Sequence, residues 1–189
     1  MTGIEHALRA RARRVTAGTN FARTGGEAAY SIAASVMDPE MPLLTLDDLG
    51  VLRGVEVRDD GSVLVTITPT YSGCPAMATM RDDIAHKLED HGYTDVEIVT
   101  SLTPAWSTDW ISEEGLQKLR ETGYSTPGPA PARVSGPVPL TLTIKPRQLA
   151  CPRCGSANTF LTSEFGATLC KAQYRCDDCL EPFDHVKEI

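Results

Sequence analysis

Four cysteines restrict the folding of this chain more than any other feature. Cys151 and Cys154 form one C-x-x-C pair, Cys176 and Cys179 a second, and 21 residues lie between the pairs. They sit in a module of about forty residues, which is too short to be stable on apolar burial alone and needs a staple. Each pair predicts a knuckle, a tight turn that aims two sulfurs at one ion. Two knuckles brought together by a hairpin make a tetrahedral thiolate site, which suits zinc. "NTFLTSEFG" and "ATLCKAQYRC" supply the two strands of that hairpin. Such a site is closed and structural, with no position for a reactive water, so no hydrolysis is expected from it. Iron in the four-thiolate site stays open as a rival, because sulfur ligands alone do not exclude it. Cys151-Pro-Arg-Cys154 also looks like a redox pair, but it follows a Pro-rich stretch and has a matching second pair, where redox pairs open a helix after a strand. Cys170 is a fifth sulfur, read either as a small buried residue of the ribbon or as a ligand or exchange partner.

Around this module the chain is uneven. Residues 126–148 hold six of the thirteen prolines and read as an extended, semi-rigid linker ahead of a ribbon over 149–189. Residues 27–126 carry 18 Asp/Glu against 6 Lys/Arg, an acidic body that argues against a nucleic-acid surface. Residues 1–26 carry Arg9, Arg11, Arg13, Arg14 and Arg23 against Glu5. They read as a disordered basic tail, with a nucleic-acid tail or a transit peptide as alternatives. The 41% apolar content supports a packed core. No apolar run approaches membrane-spanning length and no signal-peptide block is visible, so a cytoplasmic protein with no membrane partner is expected.

Periodicity predicts an α+β domain over 27–125. "AYSIAASVMD" reads as a helix stopped by Asp38-Pro39, since proline disfavours helical geometry in the preceding residue. "VLRGVEVRDDGSVLVTITPT" reads as a hairpin turning at Asp60-Gly61. A helix from about Pro75 to Asp90 would bring Met77, Met80, Ile84 and Leu88 to one face. "VEIVTSL" would then join the sheet by a crossover, giving a small three-stranded sheet. A last helix starts at Ser112, turns Leu116 and Leu119 inward and stops at Gly123.

Cys74 stands out because cysteine caps helices poorly. With Cys74 as N-cap and Pro75 as first helical residue, the helix dipole would stabilise a thiolate and lower its pKa. The competing reading is an inert thiol filling space behind the hairpin. No Cys-His dyad is legible: His86 and His91 lie late in the following helix and are expected to face solvent, which weakens a protease or acyl-transfer assignment. A thiolate without a base can still bind a soft metal transiently. Asp38 and Glu40 are weaker candidates near the same helix mouth, with solvated stop-signal residues as the alternative. Trp106 and Trp110, four apart, are expected to pack against the sheet.

"MDPEMPLLTLDDLGVLRGVEV", "TPTYSGCPAMATM" and "LTPAWSTDW" together resemble the iron–sulfur assembly domain of SufT-like proteins and of the targeting subunit of cytosolic iron–sulfur assembly. The matching features are Asp38-Pro39-Glu40, Asp48-Leu49-Gly50, Cys74-Pro75 and Pro104-x-Trp106. With the spacer and "CPRCGS…FGATLCKAQYRC…C…PFDHVK" behind it, the whole resembles the D subunits (also called J) of bacterial phenylacetyl-CoA ring-epoxidase systems. The resemblance implies an accessory, maturation role in phenylacetate catabolism. The partners would be the reductase or the di-iron oxygenase subunit. Cys74 would be the functional thiol, transiently holding iron or an iron–sulfur cluster. No Glu-x-x-His set or dinucleotide fingerprint is present, so the chain is expected to be neither the oxygenase nor the reductase itself. The alternative is a non-catalytic scaffold of the same complex holding only structural zinc. A homodimer is compatible with either role.

Overall fold

The computed structural model describes residues 26–71, 73–131 and 149–189. The expected basic tail, but for Gly26, and the linker from residue 132 onward lie outside the described residues.

The first half is built on a hairpin. Strands β1 (Leu52–Val57) and β2 (Val63–Ile67) pair antiparallel, with Val55 opposite Val65 and Val57 opposite Val63. Val63, Val65 and Ile67 are fully buried, as period-two alternation requires of a sheet with one face on a core. The turn closes where Arg58 N–H donates to Ser62 O. Helix α1 (Glu27–Ala34) precedes the hairpin, and α2 (Met77–Glu89) follows it, placing Met80, Ile84 and Leu88 in the core. α2 is the crossover that brings β3 (Val96–Thr100) beside β2 in parallel, in the order β1-β2-β3. His86 and His91 are both exposed, the first on α2 and the second beyond its end.

Helix α1 ends at Ala34, three residues short of the expected end. Its chain groups have better partners beyond that point. Asp38 N–H donates to Leu44 O at 2.8 Å, and Leu46 N–H to Val36 O at 2.9 Å. The 36–46 segment therefore folds on itself and sends Leu44 and Leu46 into the core, fully buried.

The Asp48-Leu49-Gly50 motif organises what comes after the sheet. Asp48 Oδ2 accepts from Lys118 Nζ at 2.8 Å and from Thr45 N–H at 3.0 Å, and Asp48 O accepts from Ser112 N–H at 2.8 Å. Ser112 in turn caps α3 (Glu113–Glu121) by accepting from Gly115 N–H at 2.9 Å. Burial pushes the Asp48 carboxyl up, but Lys118 and Thr45 outweigh it and hold the group below the usual range. This contribution is present above the ordinary carboxylate pKa and is lost as pH falls through the lowered value. Trp106 Nε1–H donates to Leu49 O at 2.9 Å, and the Arg53 guanidinium lies 3.7 Å from the Trp110 ring centroid. Trp110 belongs to a short 3-10 turn, Thr108–Trp110, so the two tryptophans do not share a helix face.

The second half is a three-stranded antiparallel sheet, β4 (Thr159–Ser163), β5 (Lys171–Cys176) and β6 (Pro182–Val186), in that order. The hairpin expected from sequence is β4–β5; β6 is an addition. "PFDHV" hid its strand character because Asp184 and His185 interrupt the apolar alternation, yet Phe183, His185 and Val186 are all buried. β6 also joins the halves. Ser125 N–H donates to Asp184 O at 2.9 Å, Val186 N–H to Ser125 O at 3.0 Å, and Val186 packs into the first core. Thr108 N–H donates to Ile189 O at 3.2 Å.

Gly50 has φ +65°, and a Cβ added there would meet Trp110 Cβ and Trp110 O at 2.7 Å. Gly50→Ala is expected to cost at least about 2 kcal/mol in denaturant unfolding, from left-handed strain plus the clash. Unchanged stability would show that this contact does not hold the 108–110 turn.

Candidate functional site

The four paired cysteines converge. Their Sγ atoms all lie within 4.8 Å of one another, with Cys151–Cys179 at 3.7 Å and Cys154–Cys176 at 3.6 Å. A metal–sulfur distance of about 2.3 Å in a tetrahedron gives sulfur–sulfur edges of about 3.8 Å, whereas a disulfide would need about 2.05 Å. The observed edges match the spacing of sulfurs that share an ion.

The two knuckles are built alike. Cys151-Pro-Arg-Cys154 is followed by Gly155 at φ +76°, and Cys176-Asp-Asp-Cys179 by Leu180 at φ +64°. The first accepts this backbone freely; the second puts a β-carbon into the left-handed region, where it is strained. Polar bonds clamp the knuckles together. Ser156 Oγ donates to Asp178 Oδ2, Asn158 Nδ2 donates to Asp178 Oδ1 at 2.9 Å, and Arg153 pairs with Glu181 at 3.0 Å. The ribbon core is Leu149, Cys151, Ala172, Tyr174, Cys176 and Phe183, so two of its six buried members are the sulfur donors themselves. Such a core depends on what those sulfurs hold.

The electrostatics point the same way. Burial raises the Cys151 thiol, but backbone N–H groups of Cys154 and Arg153 and the neighbouring thiols bring it down to about 7. At Cys154 the Ser156 amide favours the thiolate, but burial and the three other thiols outweigh it and push the group up to about 12. Cys151 ionises readily while Cys154 and Cys179 are raised, so full ionisation of the set calls for a cation at the centre.

A second set of reactive groups lies where the two halves meet. Asp38, Glu40, Cys74 and Cys170 line one cavity of about 20 Å³, walled on its apolar sides by Met41, Leu49, Val51, Met77, Met80, Trp106 and Val186. Cys170 is thus placed away from the four-sulfur cluster, at the start of β5, with Thr168 Oγ1 at 3.1 Å from its Sγ. Asp38 is 4% exposed, which removes the solvated reading of this residue. Its Oδ1 accepts from Glu40 N–H at 2.8 Å and Met41 N–H at 2.7 Å, fixing the turn that presents Glu40.

Two expectations about Cys74 need correction. The N-cap of α2 is Ala76, and Cys74 lies two residues ahead of it, because Cys74-Pro75-Ala76 forms a preceding turn with Met77 N–H directed at Cys74 O. The thiol is half-buried, and its pKa is raised where a helix-dipole argument lowers it. Burial is the main cause; the Ala76 amide opposes it, while Glu40, Asp38 and Cys170 add to it. The Asp38, Glu40 and Cys170 groups are raised as well, each chiefly by burial. Sequence periodicity could not reveal this grouping, since Cys170 is 96 positions from Cys74.

Both halves have counterparts among known proteins. Residues 30–100 match the family model "Iron-sulfur cluster assembly protein", and residues 135–187 match "PaaD zinc beta ribbon domain". An Escherichia coli relative named as the D subunit of 1,2-phenylacetyl-CoA epoxidase is 42% identical over 160 residues, covering 85% of this chain and 91% of that protein. An Fe-S protein maturation auxiliary factor of Porphyromonas gingivalis is 38% identical over 86 residues, 45% of this chain and 81% of its own length. A solved domain of unknown function from Bacillus anthracis overlays 50% of this chain and 90% of its own at 23% identity and a TM-score of 0.47.

The mismatch between the knuckles is testable. Leu180→Gly should relieve the left-handed strain and raise ribbon stability by about 0.5 kcal/mol, allowing for the looser unfolded chain. Thermal unfolding of the metal-loaded protein measures it, and a destabilised variant would mean that the leucine side chain contributes more than its backbone costs.

Proposed function

Because the chain belongs to the family of 1,2-phenylacetyl-CoA epoxidase D subunits, we propose that it is an accessory component of that system which helps to load iron into a partner protein. The ribbon is its fixed structural element. Cys151, Cys154, Cys176 and Cys179 would hold zinc, which supplies charge neutralisation and a rigid cross-link. The working site is Cys74. One observation carries this reading: a half-buried thiol faces a small cavity that it shares with two carboxyl groups, all of them kept protonated more than usual by confinement.

A neutral thiol at rest suits a carrier of cations. When iron(II) arrives as cargo, the Cys74 S–H bond breaks, the sulfur keeps the electron pair and binds the metal, and the proton leaves to solvent. The same raised pKa favours the reverse step, in which the thiol is protonated again as the metal passes to a client. A thiol with a strongly lowered pKa would stay a thiolate and resist letting go. The relative from Porphyromonas gingivalis carries the maturation name on the part it shares with this chain, which supports the same reading. The clients would be the iron-containing components of the epoxidase, the reductase or the di-iron oxygenase.

Expressed in a strain lacking this gene, Cys74→Ser should fold, retain its ribbon metal and lower phenylacetyl-CoA epoxidation by at least about tenfold, the scale set by loss of a metal-site interaction. Iron content of the purified client proteins should fall in parallel. Wild-type epoxidation by the variant would leave a scaffold that docks partners and holds only zinc.

A further inference from the structure

The cavity beside Cys74 is not made by one half of the chain. Cys170 reaches it from the ribbon, and the ribbon is held in place by contacts independent of that cysteine: the Ser125–β6 bonds, Val186 in the first core, and Lys171 Nζ donating to Glu40 O at 3.4 Å. Cys170 is buried and lines the same cavity as Cys74 and Glu40.

We propose that Cys170 is the second sulfur of the cargo site, so that Cys74, Cys170 and Glu40 together take up one thiophilic divalent cation at the junction of the two halves. This rests on the reading of Cys74 as the cargo residue and adds to it the ligand set and the size of the cargo. Asp38 is a positioning residue in this scheme, since one of its oxygens is already engaged by the amides of Glu40 and Met41.

Three observations support the assignment. The donor chemistry is two thiols and a carboxyl, a mixed set that suits iron(II) and disfavours magnesium or calcium. The space is about 20 Å³. One water-sized sphere needs about 10–15 Å³, so the space matches a single ion. The charges are also unbalanced. Burial is the largest cause at Glu40, Cys74 and Cys170; beyond it Asp38 raises Glu40, both carboxyls raise Cys74 and Cys170, and Cys170 raises Cys74 in turn. Tyr71 is pushed up to about 12 by burial and then by Cys74, Glu40 and Cys170. Lys171 opposes this crowding at Asp38, Glu40 and Cys170 without reversing it. A divalent ion would stabilise every one of these groups in its anionic form.

The contrast with the ribbon explains how two sulfur sites in one chain avoid doing the same job. Among the described residues, only the four ribbon cysteines have donor atoms that all lie within 4.8 Å of one another. That set is already closed on an ion-sized centre. The junction set shares a cavity without its donor atoms being drawn together.

Cobalt(II) is a suitable probe, because zinc outcompetes it and the ribbon keeps its zinc during titration. Zinc-loaded full-length protein, prepared anaerobically, should gain thiolate-to-cobalt absorbance on titration with cobalt(II), with one cobalt and one zinc per chain by mass spectrometry. Cys170→Ser and Cys74→Ser should each halve that absorbance, and the double variant should abolish it. Undiminished absorbance in Cys170→Ser with loss in Cys74→Ser would overturn the present inference and leave Cys74 as cargo residue. Undiminished absorbance in Cys74→Ser, or none in the wild type, would remove both. The wild-type chain gives an arm that does not depend on variant folding. Cobalt should protect Cys74 from iodoacetamide, read by peptide mapping; a Cys74 alkylation rate indifferent to cobalt would count against metal uptake at the junction.

Discussion

The meeting of four sulfurs at the far end of the ribbon is the constraint on which the remaining structure rests. A sheet with six buried core residues, two of them cysteines, has little apolar area with which to oppose chain entropy. The sulfur–sulfur edges of 3.6 and 3.7 Å match the spacing an ion imposes. Once those four are tied, the strands between them acquire a register. β5 then starts at Lys171 with Cys170 just ahead of it, and β6 runs back so that its edge can meet Ser125. A metal bound there would therefore act at a distance: it would fix the element that carries a second sulfur to the first domain.

That arrangement gives a reason for the first domain to be fused to a ribbon. Alone, residues 27–125 would present Cys74 on an open surface beside Asp38 and Glu40. With the ribbon docked, Cys170, Val186, Lys187 and Ile189 wall the same place. There the thiol is half-buried with a raised pKa, beside a cavity of about 20 Å³. A protonated thiol in a confined acidic pocket is poorly suited to nucleophilic catalysis. It is well suited to exchanging a proton for a metal and back again.

Much of this was legible in the sequence, for identifiable reasons. Val63, Val65 and Ile67 alternate cleanly, so the hairpin could be read, and the parallel β3 followed because a helix must intervene between parallel strands. The two C-x-x-C pairs pointed to the ribbon because their spacing admits few alternatives. What escaped were features set by partners distant in sequence. β6 carries Asp184 and His185 where an alternating pattern wants apolar residues, and it became a strand because β5 and Ser125 pair with its two edges. Cys74 invited a helix-dipole argument, but local chain geometry put the cap at Ala76, and burial against Cys170, Asp38 and Glu40 reversed the direction of its pKa shift. Asp38, read as a weaker site candidate or a solvated helix stop, is a buried anchor for the turn that presents Glu40. No local window contains these relations.

The dependence of the junction on the ribbon can be measured without any substitution. Full-length protein is stripped of metal under reducing, anaerobic conditions, and the alkylation rate of Cys74 is followed by mass spectrometry before and after zinc is restored. If the bound ion holds Cys170 and its neighbours over Cys74, stripping should accelerate Cys74 alkylation to the rate of an exposed thiol, and zinc should slow it again. A Cys74 rate indifferent to metal, in protein whose ribbon has lost its structure, would contradict the account.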